Sequence, residues 1–200
     1  MAVKRLRERQ AEATRQLIVS VARQLFTTQG YPATSIEDIV GRAGIAKGAL
    51  YHHFSGKEAL FRAVYDAILG EAVSAVLAAA SDEADPSASV RAGLSAFLDA
   101  CLDPGFRRVV VLESITVLRP DVREDGVGQV ELTMLRSVLA PLADGKELAG
   151  ASVDALAHVA LGGLYGAALY IARSLDPVAA RSDVDIVLDT LMSGLRPAAP

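Results

Sequence analysis

The sequence predicts an all-α protein, and three observations support this class. Apolar residues recur with helical spacing in one segment after another, whereas no stretch shows the sustained alternation of a strand. Apolar residues make up 52% of the chain, with much alanine, and aromatic residues make up only 5%. This composition favours packed helices over sheets. Glycine, proline and capping residues divide the chain into about nine helices.

The first apolar stripe, over residues 11–29, ends at Gly30, and a second, over residues 36–43, ends at Gly44. Glycine suits these ends because it tolerates the positive φ of a helix stop. Between the two stripes, Thr34 and Glu37 have the spacing of a capping box, which predicts that Thr34 caps the second helix. A third short helix is predicted over residues 46–53.

The remainder of the chain is predicted as a series of longer helices. Ser55 and Glu58 form a second capping-box pattern, which begins a long helix from residue 57. The polar, acidic segment 81–87 is the clearest linker. Further helices are expected over residues 87–102, 106–118, 122–142, 152–174 and 179–195. We divide the chain into an N-terminal domain with its arm, residues 1–56, and a helical bundle, residues 57–200, which the helix from 57 connects.

Charge is divided unevenly along the chain. Residues 1–62 hold ten basic and five acidic residues, a net charge of +5, and residues 63–200 hold ten basic and nineteen acidic residues, a net charge of −9. This division indicates an anion-binding module attached to a body with another task. Lys4, Arg5, Arg7 and Arg9 form a basic arm that suits contact with a DNA backbone or minor groove, or a solvated tail.

Two short helices joined by a tight glycine turn, around Gly44, form a helix-turn-helix pattern, whose second helix enters the major groove of DNA. The apolar positions of both helices supply a packed back. On or near the exposed arc of the second helix lie Lys47, Gly48, Tyr51, His52 and His53. Because glycine inside a helix costs about 0.5–1 kcal/mol, Gly48 indicates either a close approach of DNA or a benign surface position.

The segment from Thr34 to Phe54, with Lys57–Leu60 after it and Leu25, Phe26, Gly30 and Tyr31 before it, resembles the N-terminal region of TetR-family transcriptional regulators. The resemblance implies a homodimer with an N-terminal helix-turn-helix DNA-binding domain and a C-terminal ligand-binding and dimerisation domain. It implies a sequence-specific regulator, preferably a repressor, that binds a pseudo-palindromic operator of double-stranded DNA. A small-molecule effector would release it, and it would be a bacterial cytoplasmic protein, associated with the nucleoid when bound to DNA.

The resemblance also implies roles for individual residues at the DNA interface. Thr34 and Ser35 would contact phosphate, and Lys47 and Gly48 would approach bases. Many members carry Ser or Thr at the position of Ala46, so only a backbone contact remains there. The remaining residues would contact phosphates or nearby base edges: Tyr51, His52, His53 and Lys57.

A recognition helix of two turns requires a second copy, with half-sites about 34–36 Å apart or a multiple of this spacing. The helix over residues 152–174 offers small residues that let backbones approach, and the last helix carries an apolar stripe. We predict that these two helices of each subunit form a four-helix interface, the alternative being burial inside one subunit. The interface residues are Gly162, Gly163, Gly166, Val184, Val187, Leu188 and Leu191.

The effector pocket is expected between the long helix from 57 and the helices of the middle third of the chain. Ordinary core packing is the alternative for each lining residue. Glu113, which lies among apolar residues, suggests either a cationic ligand or an exposed carboxylate. The candidate lining residues are Phe97, Cys101, Phe106, Glu113, Met134, His158 and Tyr165.

Other classes of protein are disfavoured. The sequence has no phosphate-binding glycine loop, His-Glu-x-x-His motif or nucleophile elbow, so we predict no enzyme and no cofactor. One cysteine excludes a Cys-based zinc site, and neighbouring His52 and His53 point about 100° apart on a helix, so no metal is expected. The acidic remainder argues against a nonspecific DNA-coating protein. Residues 155–172 lack charge, and we interpret them as a buried or interface helix rather than a membrane span.

Overall fold

A computed structural model describes residues 2–118, 128–143 and 152–194, and this part of the chain forms nine helices and no strand. The all-α prediction is confirmed. The sixth helix, α6, begins as a π-helix, Phe106–Glu113, and continues as an α-helix, Ser114–Val117. The other helices are α1 Ala2–Gln29, α2 Ile36–Ala43, α3 Lys47–His53, α4 Lys57–Ser81, α5 Pro86–Ala100, α7 Gly128–Ala143, α8 Val153–Arg173 and α9 Pro177–Gly194.

Most helix boundaries lie close to their predicted positions, and α1 is the exception. It begins at Ala2 rather than near residue 11, so the predicted basic arm belongs to a helix. The arm contains Arg, Glu, Gln and Ala, which favour helix without an apolar stripe, and no glycine or proline interrupts it. Residues 122–127 of the predicted seventh helix and residue 195 of the last one lie outside the described residues.

The core is centred on α4, which packs against α1, α5 and α6. Three rings connect α1, the following turn and α4. The centroid of Phe61 lies 5.3 Å from that of Phe26 and 5.1 Å from that of Tyr31, both in edge-on geometry. A bidentate pair from Arg23 to Glu71, with N–O distances of 2.5 and 2.7 Å, also joins α1 to α4. The N-terminal helices are thus attached to the long helix by buried aromatic and half-exposed ionic contacts.

The C-terminal helices close the bundle around α5 and α8. Here α7 lies against α5 and α8, and α9 lies against α8 and α5. The guanidinium of Arg181 on α9 donates to the Asp99 carboxylate at 3.0 Å and to the Ser95 hydroxyl at 2.7 Å, both on α5. Val184 and Leu188 of α9 also pack against the main core. Consequently α9 is held against both α8 and α5.

Two helices in the described part of the chain, α4 and α8, are long and apolar enough to cross a membrane by length and composition alone. The apolar residues of α4 are largely accounted for by packing, since eight of its residues are buried. By contrast, α8 buries only Ala157, Ala168 and Ile171. Ala167, Leu169 and Ala172 also pack against the core, whereas Val159 and Tyr170 are exposed in the described part of the chain.

Candidate nucleic-acid interface

The helix α2 begins one residue later than the capping pattern suggested. Ser35 is the N-cap, its hydroxyl accepts from the Asp38 N–H at 3.0 Å, and Asp38 accepts from the Ser35 N–H at 2.9 Å. The Ser35 hydroxyl also donates to Asp38 and holds the pKa of that carboxyl below its usual value. The predicted Thr34–Glu37 box is therefore wrong, because two adjacent hydroxyl residues each had an acid three positions later.

Thr34 instead stabilises the turn between α1 and α2 from the inside. Its side chain is buried, and its hydroxyl donates to the carbonyl oxygen of Gly30 at 2.7 Å. This hydroxyl points inward, so the phosphate contact expected from it does not fit this arrangement. Ser35 is half-buried, with its hydroxyl held by the capping box.

The turn between α2 and α3 has the predicted glycine stop. Gly44 adopts a left-handed conformation with φ +66°, and the Ile45 N–H donates to the Val40 carbonyl at 3.1 Å. Ala46 is the N-cap of α3 and makes no side-chain capping bond, as its methyl group requires. Backbone hydrogen bonds at Gly44 and Ile45 therefore end α2, and α3 begins without a side-chain cap.

The short helix α3 has one buried and one open face. Leu50 is fully buried and Phe54, its C-cap, nearly so, while Ile39 of α2 packs into the same core. The residues exposed to solvent are Ala46, Lys47, Gly48, Tyr51 and His52. His53 is half-buried, its ring 5.3 Å from that of His52 in edge-on geometry. The open face thus contains five of the six residues predicted on or beside α3.

Gly48 has no internal reason to be glycine. A Cβ built on it would meet no atom within 4 Å, and it lacks a positive φ. The missing side chain leaves the α3 backbone open from outside, which fits the close approach of another molecule.

Lys47, on the same face, forms an ion pair with Glu37 of α2. The ammonium of Lys47 holds the pKa of the Glu37 carboxyl below its usual value, and Glu37 in turn raises the pKa of Lys47. Both side chains are largely exposed, so the pair is open to exchange with an external anion. Glu37 was not predicted as part of this surface, although its place in the first turn of α2 was available from the sequence.

Lys57 points into the turn after α1. Its ammonium donates to the carbonyl oxygens of Tyr31 at 2.7 Å and Thr34 at 2.8 Å. A lysine ammonium has three donors, so at most one remains for a phosphate in this arrangement. The predicted capping box at Ser55 is wrong, because Gly56 is the N-cap of α4 and makes no side-chain capping bond.

The candidate pocket residues do not form one site. Cys101 and Phe106 are buried in the main core with Phe97 against them, and burial raises the pKa of the Cys101 thiol to about 12. Met134 is half-buried on α7, and His158 is exposed on α8, where its Nδ1 lies 2.7 Å from the Asp154 carbonyl oxygen.

Two further pocket candidates have specific partners. Tyr165 of α8 donates to the Glu131 carboxylate of α7 at 2.5 Å, in a half-buried position. Glu113 accepts from the backbone N–H of Tyr31 at 2.9 Å. The prediction for Glu113 is corrected, since its carboxylate faces the N-terminal domain. Sequence reasoning missed this because the two residues are 82 positions apart.

The predicted dimer residues fall into two groups. Gly162, Gly163 and Gly166 lie on the open face of α8, and a Cβ at each would meet no atom within 4 Å. Val187 and Leu191 of α9 are exposed, whereas Val184 and Leu188 are half-buried against the subunit's own core, so their place in an interface stays a prediction. The exposed apolar surface of α8 and α9 also contains residues that the sequence analysis missed: Val159, Tyr170 and Ile186.

The exposed seven-residue helix, braced by two others and preceded by a glycine turn, defines a helix-turn-helix DNA-binding protein. A family model described as bacterial regulatory proteins, tetR family, matches residues 18–64. A second model, the tetracyclin repressor-like C-terminal domain, matches residues 87–195, more than half of the chain. The chain therefore belongs to the TetR family of bacterial transcriptional regulators, as its resemblance implied, and is not an enzyme.

Individual relatives agree with this assignment. The chain is 33% identical over 107 residues to the transcriptional activator FasR of Mycolicibacterium smegmatis, covering 54% of this chain and 48% of that protein. It is 34% identical over 109 residues to the transcriptional regulator TtgR of Pseudomonas putida, covering 54% and 51%. The matches thus span about half the length of these curated relatives. A solved TetR-family regulator from Pectobacterium atrosepticum is 28% identical, with a TM-score of 0.80 over 96% of this chain and 98% of that chain.

Proposed function

We propose that the protein binds a pseudo-palindromic DNA operator as a homodimer and represses transcription until a small-molecule effector releases it. The observation that carries this proposal is the division of α3, in which Leu50 is fully buried while Lys47, Gly48, Tyr51 and His52 are open. A helix packed on one side and exposed on the other fits the major groove without rearrangement of its support.

The exposed residues suit distinct contacts with a duplex. Lys47 donates to guanine edges once it exchanges Glu37 for a base, and Gly48 lets the backbone approach. Tyr51 and His52 supply a hydroxyl and an imidazole to phosphates, with His53 beside them. Ser35, at the start of α2, and Ala46, through its backbone, lie at the edges of this surface. Lys57 and Thr34 support the turn, and at most one N–H of Lys57 remains for a phosphate.

Dimerisation is supported by the open face of α8 and α9. Val159, Ile186 and Leu191 are 76%, 66% and 60% exposed. A group of exposed apolar side chains is unfavourable in water unless a partner covers it. The exposed glycines of α8 permit close contact between backbones. Two-fold pairing through these helices would place two recognition helices on successive turns of one duplex face.

The effector is proposed to act within the C-terminal bundle. Tyr165 and Glu131, a half-buried hydrogen-bonded pair between α7 and α8, supply the polar groups that would orient a ligand there. Met134 and His158 lie on the same two helices, whereas Phe97, Cys101 and Phe106 are core residues. A regulator of this kind would work in the bacterial cytoplasm, at the nucleoid when bound to DNA.

The test is selection of bound duplexes from a random pool with the full chain at moderate salt. Enrichment of an inverted repeat with half-sites one or two helical turns apart would support the proposal. Lys47→Ala and Tyr51→Ala should reduce enrichment, whereas Gln24→Ala, on an exposed position of α1, should not. Binding that random competitor DNA abolishes would instead indicate a nonspecific DNA-coating protein.

A further inference from the structure

The π-helical half of α6 contacts the last turn of α1 and the residues after it, a region that we call the α1 end, residues 27–31. The guanidinium of Arg108 donates to the carbonyl oxygens of Thr27 at 2.9 Å and Thr28 at 2.7 Å. The carboxylate of Glu113 accepts from the backbone N–H of Tyr31 at 2.9 Å. Arg108 thus satisfies carbonyl oxygens that the end of a helix leaves without partners, and Glu113 satisfies an N–H of the turn that follows.

The two contacts depend on the π-helical hydrogen bonding of this segment. A π-helix closes i→i+5 hydrogen bonds, so residues five positions apart, such as Arg108 and Glu113, lie one above the other. In an α-helix of 3.6 residues per turn, the same two residues would point about 140° apart. Conversion of this segment to an α-helix would therefore withdraw at least one of the two side chains from the α1 end.

The fit between the two segments is close at both ends. A Cβ on Gly105, just before the π-helix, would lie 2.9 Å from the Thr27 hydroxyl oxygen. A Cβ on Gly30 would lie 2.5 Å from a Glu113 carboxylate oxygen. A larger residue at either position would have to displace one of these side-chain oxygens, so glycine allows the close packing of α6 on the α1 end.

The α1 end in turn positions the DNA-binding helices. The Tyr31 N–H donates to Glu113, its carbonyl oxygen accepts from Lys57, and its ring packs against that of Phe61. Thr34, three residues later, is bound to both Gly30 and Lys57 and immediately precedes the N-cap of α2. A displacement at Tyr31 therefore reaches α2, and through it α3, by a short chain of hydrogen bonds.

We propose that Arg108 and Glu113 are positioning residues that couple the DNA-binding domain to the C-terminal domain. Their simultaneous contact with the α1 end requires the π-helix. The α- and π-helical forms of residues 106–113 are the two states of this coupling. The inference rests on the proposed function, since it concerns how DNA binding and the C-terminal domain influence each other. A ligand with unequal affinity for the two states would shift the DNA-binding helices.

Thermodynamic coupling is reciprocal, so DNA itself serves as the probe and no effector is needed. Amide hydrogen exchange of residues 106–113 is measured in the full-length protein, free and with the duplex recovered from the random pool. Wild-type exchange should slow by about fivefold or more on binding, the lower range of typical coupling. Glu113→Ala and Arg108→Ala should abolish this slowing while the duplex remains saturating.

Two variants separate coupling from simple structural damage. Glu113→Gln keeps an oxygen acceptor for the Tyr31 N–H and should retain the slowing. Arg107→Ala is the matched control, because Arg107 lies in the same π-helix but donates to the carbonyls of Cys101 and Leu102 rather than to α1. If Glu113→Ala failed to fold by circular dichroism, Arg108→Ala would provide the same comparison.

Three outcomes would overturn the inference. In the first, saturating duplex leaves wild-type exchange in residues 106–113 unchanged. In the second, amide exchange in residues 106–113 slows on DNA binding as much in both alanine variants as in the wild type. In the third, the wild type binds no duplex at all, which overturns the proposed function together with the inference; the binding isotherm of the same samples distinguishes this outcome from the other two.

Discussion

The ammonium nitrogen of Lys57 lies 4.1 Å from the centre of the Tyr31 ring and donates to the carbonyl oxygen of the same residue. One side chain at the start of α4 thus binds both the backbone and the ring of the turn after α1. Lys57, which was expected to contact phosphate, therefore stabilises the interior of the DNA-binding domain.

Lys57→Ala should lower the free energy of unfolding by about 2–3 kcal/mol, because it removes hydrogen bonds from a charged donor to two backbone carbonyls. DNA affinity should fall evenly across sequences, and the salt slope should drop by about one unit if the third N–H meets a phosphate. Chemical denaturation and salt titration measure both effects. Lys47→Ala, at an exposed lysine, is the matched control for stability and should leave unfolding nearly unchanged. Equal stability of the two variants would contradict the supporting role of Lys57.

Lys47→Ala should relax base preference by about tenfold or more at one position in each half-site, since it removes a donor to a base edge. Glu37→Gln should instead raise affinity for all duplexes, because it removes an anion beside the DNA and frees Lys47. Binding to the selected duplex and to single-base variants distinguishes the two effects. A uniform loss of affinity in Lys47→Ala would show that this lysine contacts phosphate only.

Gly163→Asp and Val187→Asp should each weaken dimerisation by about tenfold or more, because a carboxylate on a covered apolar face loses its hydration. Sedimentation velocity over a range of concentrations measures the effect. Gln24→Asp places the same charge on an exposed position of α1 and should leave association unchanged. Full-strength dimers of both α8 and α9 variants would locate the interface elsewhere.

The buried thiol of Cys101 should make stability depend on alkaline pH. Its pKa is raised to about 12 by burial, whereas an unfolded thiol has a pKa of about 8.5. The thiol's contribution is thus complete below about pH 8.5 and is lost as the pH rises toward 12, by about 1.4 kcal/mol per unit. Denaturant unfolding of wild type and Cys101→Ala between pH 8 and 10.5 tests this. Parallel pH profiles would show that the thiol ionises equally in both states.

Gly30→Ala should destabilise the protein more than Gly44→Ala. Both residues have positive φ, which costs other residues about 1–2 kcal/mol, but only at Gly30 would the new Cβ meet a side chain, that of Glu113. Adding Glu113→Ala to Gly30→Ala should remove the excess, as a double-mutant cycle would show. Additive effects of the two substitutions would contradict the contact.

The sequence by itself determined the features that depend on neighbouring residues. The stops at Gly30 and Gly44 were predicted because positive φ is a local requirement, and the buried Ile39 and Leu50 followed from helical periodicity. The N-cap of α2 was misplaced by one residue because Thr34 and Ser35 both offered a capping hydroxyl. The open face of α3, and with it the class of protein, was thus accessible from local patterns.

Tertiary structure alone decided what depends on residues distant in the chain. The partner of Glu113 is 82 positions away, and no local pattern identifies it. Whether Val184 or Val187 faces the core depends on where α9 lies against α5, since both belong to one apolar stripe. The choice of i→i+5 over i→i+4 bonding in residues 106–113 has no signal in composition. Periodicity specifies which side of a helix is apolar, but packing decides which neighbour covers it and which polar groups it satisfies.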